Sequence, residues 1–105
     1  MSPNPLTAGL RPTHPGEILR EDIFPSLGKS KVELAKLLGV SRAALYNIID
    51  EKTAITPDMA LRLGKLLGGA PEIWLTMQQT FDLRTREKEL AKDLSKIPTL
   101  EAAVR

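Results

Sequence analysis

The sequence predicts an all-α fold, a small orthogonal bundle of five helices followed by a charged helical extension or tail. Three features dictate it. Apolar residues recur at three- and four-residue spacing from Ile18 to Phe81, helix-starting residues precede each such run, and no stretch alternates apolar with polar residues as a half-buried strand would. At 105 residues and 42% hydrophobic, the chain can bury one core without staples, and with no cysteine it has neither disulfides nor thiolate ligands.

Met1 to Thr13 is proline-rich and reads as a flexible arm (residues 1–13). Helix 1 starts at H-P-G-E, with Pro15 at the first helical position, where its missing N–H costs nothing. It carries Ile18, Leu19 and Ile23 and is expected to end at Phe24-Pro25, because a residue before proline is pushed out of the helical region. Ser30 and Glu33 have capping-box spacing for helix 2, whose expected buried face is Leu34, Leu37 and Leu38, with a small Ala35 at the helix crossing. Gly39 supplies the left-handed turn, and Val40 plugs the core beneath it.

Ser41 caps helix 3, and Ala44, Leu45, Ile48 and Ile49 form its expected inward face. Arg42, Ala43, Tyr46 and Asn47 then point outward. Thr56-Pro57-Asp58 combines an N-cap, a proline at N1 and a first-turn acid, so helix 4 runs from there to Gly68-Gly69. Ala70-Pro71-Glu72 opens helix 5, whose stripe is Ile73, Trp74, Met77 and Phe81. The folded domain is expected over residues 14–83. Beyond it, residues 84–105 are highly charged, with Leu90, Leu94 and Ile97 at helical spacing, and Pro98 stops any helix.

Helices 2 and 3, over residues 31–49, have the layout of a helix-turn-helix, in which the second helix enters the major groove of double-stranded DNA. Arg42 suits a bidentate contact to guanine, Asn47 suits adenine or a phosphate, and Ala43 offers a methyl contact. Tyr46 either reaches a phosphate or covers the helix end. Lys31, at the N-terminus of helix 2, and Lys52 in the following loop would fix the backbone register. The 15 Lys+Arg against 13 Asp+Glu give a net charge of only +2. So slight an excess predicts modest affinity for a single copy and argues for a dimer.

Other chemistry is poorly supported. His14 and Glu17 lack a second ligand cluster, so no metal or cofactor is expected. Glu21 and Asp22 are adjacent and face different sides of a helix, and Ser26, Ser30 and Ser41 sit at turns where serine caps. An enzyme is therefore not expected. Neither a signal peptide nor a membrane-spanning run is visible, so the expected setting is the cytoplasm. A protein-binding bundle with no DNA role is the reading from another class.

The blocks H-P-G-E-I-L-R-E at 14–21, L-A-K-L-L-G-V-S-R at 34–42, I-T-P-D-M-A-L-R-L at 55–63, P-E-I-W-L-T-M-Q at 71–78 and F-D-L at 81–83 resemble the HigA antitoxins of bacterial toxin–antitoxin modules. These belong to the phage-repressor-like, or XRE, helix-turn-helix superfamily. The resemblance spans Pro12 to Leu83. It departs from the family pattern at Thr76-Met77, where Asn-Leu is usual. It implies a lambda-repressor-like domain acting as a homodimeric repressor of its own operon and as an antidote to a small basic toxin of RelE or HigB type that cleaves messenger RNA. By position it implies that Ser41, Arg42, Ala43 and Asn47 lie on the DNA-reading face. Trp74, Met77, Gln78 and Phe81 would lie on the helix of core closure and dimer contact. A stand-alone regulator without a toxin is the alternative.

Overall fold

The computed structural model describes residues 12–101, in which every regular element is helical. The first helix is continuous but built in three pieces: α1 (Pro15–Ile18), a π-helical segment (Leu19–Ile23) and α2 (Phe24–Ser26). His14 caps it, its Nδ1 accepting from the Gly16 N–H at 2.9 Å, with Pro15 in the first turn. The expected stop at Phe24-Pro25 does not occur. In the wider π turn the Phe24 N–H bonds back to the Leu19 carbonyl, five residues earlier. That turn makes room for the proline ring, and the helix continues to Ser26.

The next elements follow local chemistry closely. α3 (Lys31–Leu38) starts with a complete capping box: the Glu33 N–H donates to Ser30 Oγ and the Ser30 N–H donates to Glu33 Oε1. The Ser30 N–H and hydroxyl hold the Glu33 carboxyl below its ordinary pKa. Gly39 ends α3 at φ 75°. Ser41 Oγ then accepts from the Ala44 N–H to start α4 (Arg42–Ile49), and Thr56 Oγ1 accepts from the Met59 N–H to start α5 (Pro57–Leu67).

The last long helix, α6 (Glu72–Glu89), passes residue 83 without a break and is followed by the short α7 (Ala91–Leu94). No helix of the described residues is long and apolar enough to cross a membrane. The expected arm falls outside the described residues except for Pro12 and Thr13, as does the chain beyond residue 101.

The core joins Leu19 and Phe24 of the first helix, Leu34 and Leu38 of α3, Leu45, Ile48 and Ile49 of α4, Leu63 of α5 and Trp74 of α6, with Ile55 entering from the loop before α5. Two sequence expectations fail. Leu37 is 55% exposed, because α3 turns only the arc through Leu34, Ala35 and Leu38 inward. Ala44 is exposed as well, since the three larger side chains of α4 fill its inward arc.

Candidate nucleic-acid interface

The two-helix corner is fixed by how α3 and α4 end. In both helices a residue in the left-handed conformation turns the chain, and the next N–H bonds back to a carbonyl deep in the last turn. At α3 this residue is Gly39, and the Val40 N–H reaches the Ala35 carbonyl at 3.0 Å. At α4 it is Glu51, at φ 63°, and the Lys52 N–H reaches the Asn47 carbonyl at 2.8 Å. The Thr53 N–H shares that carbonyl at 3.2 Å.

Each end is also held by an arginine from a distant helix. Arg62 of α5 donates through Nη1 to the Leu38 carbonyl at 2.8 Å. Arg20 of the first helix donates to the Ile49 carbonyl, and to Glu51 Oε2 from both terminal nitrogens at 3.2 Å. Its Nε donates to Glu21 at 2.8 Å. Bonding to the two carboxylates, Glu21 foremost, raises the pKa of the Arg20 guanidinium. Sequence reading missed both arginines because their partners lie 29 to 31 and 24 residues away in the chain. The only visible signal was their place in the I-L-R-E and A-L-R-L blocks.

What this frame presents is the outer face of α4. Ala43 and Asn47, one turn apart, form its centre, and Arg42 and Tyr46 form the adjoining row. All four are exposed, Tyr46 at 37%. Lys31, in the first turn of α3, and Lys52, beyond the end of α4, are exposed too. None of Lys31, Arg42 and Lys52 forms an ion pair among the described residues, so their donors face solvent. Ser41 Oγ is engaged as acceptor, which leaves its O–H to donate. The structure thus brings six of the seven predicted residues to or beside the recognition helix, with Lys31 on the helix before it.

The residues expected at core closure and dimer contact face mainly into their own protomer. Trp74 is 7% exposed and belongs to the core. Gln78 is 5% exposed and stitches two elements together: its Oε1 accepts from the Ile55 N–H at 2.8 Å and its Nε2 donates to Asp82 at 3.0 Å. Phe81 packs edge-on against the His14 ring at a centroid distance of 5.1 Å, and Met77 is half-buried against the core. The opposite side of α6 offers Ile73 and Leu83, 56% and 57% exposed, with Thr76 and Thr80 between them. A second apolar surface lies between α3 and α5, where Leu37 and Leu61 flank a groove of about 480 Å³ bordered by Arg62 and Lys65. Among the described residues no group of His, Asp and Glu is placed to hold a metal ion.

Comparison with known proteins agrees with this layout. A family model described as helix-turn-helix matches residues 19–75. Virulence-associated protein I of Dichelobacter nodosus is 45% identical over 76 residues, covering 72% of this chain and 70% of that protein. Antitoxin HigA-1 of Vibrio cholerae is 35% identical over 85 residues, covering 78% and 80%. The solved structure of the antitoxin GraA in complex with its operator superposes with a TM-score of 0.81 at 40% identity, covering 95% of this chain and 98% of that one.

Proposed function

The chain belongs to the helix-turn-helix family that includes the HigA antitoxins, and from that premise we propose that it is a homodimeric operator-binding repressor of its own operon and the antidote of a small basic RelE-like toxin. The observation that carries the DNA half is the bare outer face of α4, with the unpaired Arg42 donors at its start and Lys31 and Lys52 to either side. GraA, at 40% identity, is described in complex with its operator. Arg42 and Asn47 read bases, Ala43 offers a methyl contact, and Ser41, Tyr46, Lys31 and Lys52 engage the backbone.

Dimerisation follows from electrostatics. One corner with so slight a positive excess grips weakly, and two corners held at operator spacing add their contacts. The proposed two-fold contact runs along α6. Its core-facing residues Trp74, Met77, Gln78 and Phe81 set the helix against the protomer, and its outer stripe of Ile73, Thr76, Thr80 and Leu83 meets the partner.

Arg42→Ala should lose operator preference by about 1–3 kcal/mol while the far-UV circular dichroism stays unchanged. Gel-shift titration at fixed salt measures this, and wild-type affinity in the variant sinks the assigned face. The antidote half is checked by expressing the protein with the product of any reading frame for a small basic protein that lies beside its own. Growth arrest by that product alone, relieved by co-expression, is the expected result. No such reading frame, or no arrest to relieve, with operator binding intact, means a stand-alone regulator.

A further inference from the structure

The two helices of the reading corner end in the same turn, yet they use different residues at its left-handed position. Gly39 occupies it in α3, as the conformation favours, and Glu51 occupies it in α4. Among the described residues Glu51 is the only non-glycine with positive φ. A side chain held where glycine fits better needs a reason, and here the reason is visible. Both terminal nitrogens of Arg20 donate to Glu51 Oε2 at 3.2 Å, and the same guanidinium donates to the Ile49 carbonyl. One planar group therefore ties the last turn of the recognition helix, and the residue just past it, to the first helix. Lys52 comes next, its N–H on the Asn47 carbonyl and its ammonium exposed.

We infer that Arg20 and Glu51 are positioning residues for DNA binding, which lock the turn after α4 so that Lys52 is aimed at a backbone phosphate while Asn47 stays in register with the bases. This rests on the operator-binding reading above. Arg20 is not assigned as the phosphate contact, because four of its five N–H donors are already engaged by Glu21, Glu51 and the Ile49 carbonyl. Lysine cannot replace it, since an ammonium lacks the planar fork that spans a carbonyl and a carboxylate.

Glu51→Gly gives a test whose sign separates this role from simple charge. The substitution removes a negative charge beside Lys52, which by electrostatics alone strengthens binding, and it relieves the left-handed residue, which raises stability. Positioning demands the opposite for binding. With the DNA immediately upstream of the protein's own reading frame as probe, Glu51→Gly and Arg20→Lys should each bind about tenfold more weakly. The melting temperature of Glu51→Gly should not fall, and Lys52→Ala should cost nothing further in the Glu51→Gly background.

Equal or tighter binding by Glu51→Gly overturns the proposal. So does a binding loss in Glu51→Gly that merely tracks a lower melting temperature, or a Lys52→Ala effect that simply adds. If the wild-type protein itself fails to bind the upstream DNA, the operator-binding reading fails. Wild-type binding matched by both variants defeats only the positioning role.

Discussion

Gly16→Ala is expected to destabilise the protein by more than about 3 kcal/mol, although alanine is the better helix former by about 1 kcal/mol. A Cβ at this position would lie 2.0 Å from the Ile48 carbonyl oxygen, 3.0 Å from its carbon and 3.1 Å from His14 Nδ1. The clash is with backbone, which cannot rotate aside as a long side chain would. The oxygen struck is also the one that accepts the Glu51 N–H at 3.0 Å, so relief requires moving the end of the recognition helix. Urea denaturation measures the loss. A midpoint within error of the wild type would mean that the first helix does not sit against α4 as described. Operator affinity, measured under conditions where the variant remains folded, should fall as well.

Trp74→Ala is expected to cost about 3–5 kcal/mol of protomer stability, the usual range for emptying a large aromatic site in a core. Trp74 is 7% exposed and its neighbours are the central apolar cluster. The informative comparison is Leu83→Glu, on the outer side of the same helix and 57% exposed. That change should leave the protomer folded and shift sedimentation equilibrium toward monomer, since a carboxylate in an apolar two-fold contact is desolvated without a partner. If Trp74→Ala dissociates a dimer without lowering denaturation of the monomer, the tryptophan is an interface residue after all. A dimer untouched by Leu83→Glu removes the proposed stripe.

Much of the bundle was legible because its signals are local. Ser30, Ser41 and Thr56 each sit at an N-cap within three residues of the N–H they satisfy, and Gly39 marks its turn alone. The outward row of α4 followed from period alone. What escaped was decided by tertiary geometry. Periodicity cannot show how wide an arc a helix buries, so it puts Leu37 and Ala44 inside although both lie outside. An aromatic stripe on one small helix reads alike as core or interface, yet Trp74 and Gln78 turn into their own protomer. The arginine clamps join residues more than twenty positions apart, and no local pattern encodes such a pair.

The π-helical stretch has a consequence for how the chain can vary in length. It is equivalent to one residue inserted into an α-helix, and its extra width lets Leu19 and Phe24, 0% and 3% exposed, share the inward side. In an ordinary helix, positions five apart are separated by roughly 140° around the axis, so the two could not both lie there. Deleting one residue between them would regularise the spiral and leave the two four apart, roughly 40° from each other around the axis, so both would stay inward. The first helix could then keep both its hydrophobic anchorage and its grip on the end of α4. The irregular turn thus absorbs a one-residue difference in length, and relatives that share the clamp but are one residue shorter from Leu19 to Phe24 should carry an unbroken α-helix there.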